Sequence, residues 1–92
     1  MKTLIVSRHT ATIQWLQNQG VDGEVISHAT PEAVEGAIVY GNIPLHLAAL
    51  AKIVHMVQIP NLPAEKRGED LTQSEIVEYG VKLQSFKVQE VG

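Results

Sequence analysis

Short β-branched runs alternate with segments of helical spacing along most of the chain, and this alternation restricts the fold more than any other feature of the sequence. Residues 3–7 form the first apolar run, and Ser7-Arg8-His9-Thr10 follows it at once. Residues 11–19 carry Ile13 and Leu16 three apart with Trp15 beside them, a helical stripe that Thr10 or Thr12 is placed to cap and Gly20 to end. Residues 24–28 read as a second strand. Thr30-Pro31-Glu32 is a helix start with proline at the first position, and it predicts one turn to residue 35, closed by Gly36. Residues 37–40 form a third strand, broken by Gly41-Asn42-Ile43-Pro44. Residues 45–53 predict a helix that is apolar on most sides and so buried, in the core or against a partner. Residues 54–59 are a fourth strand, and residues 60–70 a loop holding two prolines and a charged tip. Thr72 with Glu75 three residues on is a capping box, and Ile76, Tyr79, Leu83 and Phe86 predict the buried stripe of a helix. Residues 87–91 alternate and are expected to form a last strand.

This order predicts a single α/β domain with a mainly parallel sheet. In such sheets ligands bind beyond the carboxyl ends of the strands. The rule selects residues 7–10, 41–46 and 60–68. At 92 residues the chain buries only about 60–65 % of its unfolded surface, so a homodimer would add usefully to its core. The aromatic residues are Trp15, Tyr40, Tyr79 and Phe86 alone, which leaves the core to Val, Ile, Leu and Ala.

Several functions are disfavoured by composition. With no cysteine, disulfides and thiolate metal sites are excluded, and the four histidines lack HxH or HxxxH spacing, so no metal is expected. A net charge of −3 argues against long DNA or RNA, while leaving room for a small anion in a local pocket. No apolar run approaches the ~20 residues of a membrane span, and residues 1–7 lack a secretory h-region. The expected setting is the cytoplasm.

Three loops carry chemistry. Ser7-Arg8-His9 offers a hydroxyl, a fixed cation able to grip phosphate with two hydrogen bonds, and a group that exchanges protons near neutral pH, all at a helix N-terminus. Gly41-Asn42-Ile43-Pro44-Leu45-His46 repeats that placement after the third strand. Gly41 would allow close approach of a ligand to the backbone, Asn42 could read a base edge, Pro44 helps set the helix start, and His46 falls in its first turn. It has neither the Gly-Lys-Ser/Thr ending of a Walker loop nor a GxGxxG fingerprint. Lys66-Arg67-Gly68 lies between carboxylates in a loop long enough to act as a lid. His28 and His55 read as structural. Taken alone, the first two loops are equally compatible with plain surface chemistry, and the charge run of the third reads more readily as solvated surface.

The stretches Val6-Ser7-Arg8-His9 with the segment to Gly20, Gly41-Asn42-Ile43-Pro44-Leu45-His46-Leu47-Ala48-Ala49, and Leu62-Pro63-Ala64-Glu65-Lys66-Arg67-Gly68-Glu69-Asp70-Leu71-Thr72 together resemble a small accessory family of type III CRISPR systems, Csx-sixteen. The likeness spans nearly the whole chain. It implies a Rossmann-like, CARF-related three-layer fold over residues 1–92, acting as a homodimer. It also implies a ring nuclease that binds cyclic tetra-adenylate and cleaves it, without metal or other cofactor, to linear di-adenylate ending in a 2′,3′-cyclic phosphate. In that chemistry the RNA's own 2′-hydroxyl attacks. Arg8 and Arg67 then suit stabilisation of the phosphorane, and His9 or His46 suits protonation of the leaving oxygen. Ser7, Gly41, Asn42, Pro44, Lys66 and Gly68 complete the expected binding set. Two alternatives remain: a module that sequesters the messenger uncut, and an interaction protein whose partner surface is the segment 45–53.

Overall fold

Both edges of β1 (Thr3–Val6) find partners, which makes the first strand a central one in the computed structural model, where residues 2–92 are described. It runs parallel to β2 (Glu24–Ile26) on one side and to β3 (Ile38–Tyr40) on the other. β4 (Ile53–Gln58) continues the sheet parallel to β3, and β5 (Lys82–Phe86) closes it antiparallel to β4, giving the order β2-β1-β3-β4-β5. The chain therefore leaves β1 in one direction and later returns to build in the other, so the crevice between the ends of β1 and β3 is the switch point of the sheet.

Strand alternation sorts the side chains onto two faces. Leu4, Val39 and Val54 are in register and buried on one face, where Val34 of α2 (Pro31–Val34) and Leu47 and Ala48 of α3 (Leu45–Ala48) join them in one cluster. Ile5 points to the other face, which buries Leu16 of α1 (Thr10–Asn18) and Ile76 of α4 (Gln73–Glu78). Each such fully buried side chain contributes about 1.5–3 kcal/mol relative to exposure. α1 and α4 also pack on one another. Gln73 bridges them, accepting from Asn18 Nδ2 at 3.0 Å and donating to Gln14 Oε1 at 3.0 Å. Helices on both faces of a mainly parallel sheet make this an α/β fold, as the alternation of elements predicts.

Three sequence expectations about the elements are corrected. The helix expected to carry Leu83 and Phe86 ends at Glu78 instead. Gly80, at φ +80°, adopts the left-handed conformation that stops a helix, with its amide on Val77 and that of Val81 on Ile76. The chain beyond becomes β5, and residues 87–91 form no strand. The apolar helix expected over 45–53 spans only Leu45–Ala48. Gly36 and Lys52 donate across to and from the neighbouring segments, to Leu50 and Ala37 respectively, and the chain is drawn into β4 by Ile53. Both caps read in the sequence at α2 and α4 are present: Thr30 accepts from Ala33, and Thr72 and Glu75 form a full capping box. No helix among the described residues is long and apolar enough to cross a membrane.

Candidate functional site

The backbone after β1 turns sharply because the Ser7 hydroxyl accepts a hydrogen bond from the His9 amide at 3.1 Å. His9, and neither Thr10 nor Thr12, stands at the N-cap of α1, in extended conformation; both threonines lie inside the helix and no side chain caps it. The first turn of α1 borders the switch-point crevice through His9 and Thr12, and the dipole at a helix start favours an anion. Two of the other three α-helices have a hydroxyl cap.

A cleft of about 530 Å³ occupies the crevice, lined by Ser7, Arg8, His9 and Thr12 after β1, by Ser27 after β2, by Tyr40, Gly41 and Asn42 at the end of β3, and by Val57 and Ile59 from β4. Its size lies within the ~300–1,000 Å³ of small-molecule sites. Two of the three loops selected by the strand-end rule thus converge here. The role of Gly41 differs from the one its sequence position points to. Its φ is +146°, and the space a side chain would take is filled by the Val6 carbonyl, so glycine lets the chain's own two strand ends close up. Asn42 reaches back with Nδ2 to the Val57 carbonyl at 3.4 Å, fixing the exit of β3 against β4.

Arg8 leans over the β2 end. Its Nη2 lies 2.8 Å from Nε2 and 3.2 Å from Nδ1 of His28. A guanidinium only donates, so the imidazole nitrogen facing it accepts. His28, structural on its sequence alone, is here the partner of Arg8 beside the cleft. The signal that identifies it is the pairing of Val6 with Ile26, which makes Ser27-His28 follow β2 just as Ser7-Arg8 follows β1. Tyr40 stacks on its register partner His55, with ring centroids 4.4 Å apart, and His55 Nδ1 meets Ser85 Oγ at 2.7 Å. Tyr40 lines the cleft, while His55 and Ser85 lie outside its wall.

A second, smaller cavity of about 170 Å³ adjoins the first through shared walls of His9, Thr12 and Ile59. The loop after β4 forms its outer side, with a short 3₁₀ turn at Ala64–Lys66, and Leu62, Lys66, Gly68, Glu69 and Leu71 line it. His9 Nδ1 and Asp70 Oδ1 approach to 3.5 Å, so the loop also touches the first cleft's histidine. Lys66 turns to α4 and pairs with Glu75 at 3.4 Å. Hydrogen bonding to Glu75 and its charge raise the Lys66 pKa. The Thr72 amide, followed by Lys66, holds the Glu75 carboxyl below its usual range.

The remaining expected site residues lie elsewhere. Pro44 is the N-cap of α3, His46 is exposed in that helix, and Arg67 is exposed after the 3₁₀ turn; none of the three lines either cavity. Among the described residues no group of three or more His, Asp or Glu side chains is placed to hold a metal ion.

No curated protein and no solved structure matches this sequence significantly. A family model does match over residues 4–89, from β1 through β5, and takes in both cavities. On that match the chain belongs to the CRISPR-associated family described as "Putative CRISPR-associated protein (Cas_VVA1548)".

Proposed function

We propose that this CRISPR-associated chain is a ring nuclease that binds cyclic tetra-adenylate and opens it to di-adenylate with a 2′,3′-cyclic phosphate, without metal, on a CARF-like version of the Rossmann fold. The observation that carries the reading is the meeting of Arg8, His9 and the uncapped start of α1 in one cleft at the switch point. These are a fixed cation, a proton carrier and free amides, the groups that phosphate chemistry uses. In the reaction the ligand's 2′-oxygen bonds to phosphorus and the bond from phosphorus to the 5′-oxygen breaks. The 2′-hydroxyl proton passes to solvent. His9 gives a proton to the 5′-oxygen, while Arg8 and the α1 amides carry the charge of the phosphorane. His9 takes this role over His46 because it lines the cleft and His46 does not.

A ring with two-fold symmetry presents two equivalent scissile phosphates, and each chain supplies one cleft. A cytoplasmic homodimer with its clefts facing the axis gives one set of groups to each phosphate.

One observation favours a second reading, a module that holds the ring uncut. Among the described residues Arg8 is the only Lys or Arg lining the first cleft, and Arg67 stands outside both cavities. Purified protein mixed with cyclic tetra-adenylate in EDTA separates the two. Loss of the ring with growth of the cyclic-phosphate di-adenylate is expected. An intact ring that co-elutes with the protein would select the sequestering module, and a ring neither bound nor cut would overturn both readings.

A further inference from the structure

We propose that the second cavity, behind His9, is a subsite for an amino-bearing purine base of the nucleotide whose phosphate sits at the start of α1. The inference rests on the reading of the first cleft as a nucleotide site. The cavity and that cleft share His9, Thr12 and Ile59 as walls, so a phosphate on one side of the imidazole leaves the attached base within reach of the other. Its walls suit a flat ring: Ile59, Leu62, Leu71 and Ile76 are apolar, and its volume is about 170 Å³. Its rim is polar in a specific pattern. Lys66 and Glu69 belong to one turn, joined by the Glu69 amide donating to the Lys66 carbonyl at 3.2 Å, and both line the opening. An ammonium donor beside a carboxylate acceptor complements a ring nitrogen beside an exocyclic amine, which is the edge adenine offers. The tie of Lys66 to Glu75 at 3.4 Å uses part of a three-donor group and leaves donors for a ligand.

The site also accounts for the loop's attachment at two places. Lys66 pairs with Glu75 on α4 and Asp70 approaches His9 at the start of α1, so both contacts border the slot.

The test uses the whole protein, labelled with ¹⁵N, and two probes that differ only in the base: adenosine 5′-monophosphate and ribose 5-phosphate. The monophosphate is expected to shift the amides of Gly68, Glu69 and Leu71 as well as those of residues 8–12, and ribose 5-phosphate only the latter. Leu71→Trp, which fills the slot, is expected to weaken adenosine 5′-monophosphate about tenfold and leave ribose 5-phosphate unchanged, as removal of an apolar contact of base size requires. Inosine 5′-monophosphate, which lacks the amine, is expected to bind more weakly than the adenosine compound, and Glu69→Gln to remove that difference. Equal shifts from both sugar phosphates, or no shift at residues 68–71, would overturn the base subsite. Cyclic tetra-adenylate is run in parallel: if adenosine 5′-monophosphate fills the slot while the ring neither binds nor is cut, the subsite stands and the ring-nuclease reading falls.

Discussion

The carbonyl oxygen of Val6 fills the space in which Gly41 would carry a side chain, so the ends of β1 and β3 touch backbone to backbone at the floor of the cleft. Gly41→Ala must both adopt a φ of +146° and displace that carbonyl. It is expected to cost about 1–3 kcal/mol, the usual range for local backbone strain. For a domain of this size each kcal/mol lowers Tm by roughly 4–8 °C. A melting curve that coincides with the wild type would show that the two strand ends have room to part.

Among the histidines, position relative to the cleft separates the candidates. His9→Asn is expected to reduce ring cleavage by about 10²–10⁴, the range for loss of a general acid, with ligand binding retained. His46→Asn is expected to leave the rate unchanged. Single-turnover measurements on both variants decide it, and a defect confined to His46→Asn would reverse the assignment.

Arg8 and His28 are expected to act as a unit. With the ring nitrogen accepting from Arg8 at 2.8 Å, His28→Ala frees the guanidinium from its position over the cleft and weakens ligand binding. In an Arg8→Ala background the same change has nothing left to release, so a double-mutant cycle of binding constants should show coupling of about 0.5–3 kcal/mol. Additive losses would mean that His28 meets the ligand independently.

The loop's tie to α4 sets a pH signature. Glu75 has a lowered pKa, chiefly through the Thr72 amide and then through Lys66, so its stabilising effect is complete above the unfolded carboxyl value and fades as pH falls through the folded one. Lys66 has the opposite sense: its effect is complete below the ordinary 10.5 and is lost as pH rises through the raised value. Lys66→Met is therefore expected to move the acid unfolding midpoint to higher pH. Titration followed by circular dichroism checks this, and an unmoved midpoint would mean that the capping box alone holds Glu75.

How much of this was legible beforehand depended on whether a signal was local. The strand exit at Ser7-Arg8-His9, the proline start of α2 under Thr30 and the box at Thr72 and Glu75 are written in neighbouring residues, and all are found where the sequence places them. Leu83 and Phe86 misled because their spacing continues the period of Ile76 and Tyr79. Their fate was set by Gly80 and by pairing with Val57 and Val54 on a strand more than twenty residues earlier. His28 reaches Arg8 only because β1 and β2 pair, a contact across twenty positions that no window of sequence contains. The strand order was likewise open, since short parallel strands admit several arrangements until their crossovers are known.

Placing β1 between β2 and β3 has a consequence for how the molecule is made. Of the five strands it is the first to leave the ribosome, yet its second partner arrives only with Ile38–Tyr40. During that interval Leu4 and Ile5, both buried in the finished protein, wait without their full surroundings. Synthesis proceeds at roughly 5–20 residues per second, so the delay lasts seconds, long compared with hairpin formation. The nascent chain thus passes through a stage in which two side chains of its future core, Leu4 and Ile5, are still without the partners that β3 brings.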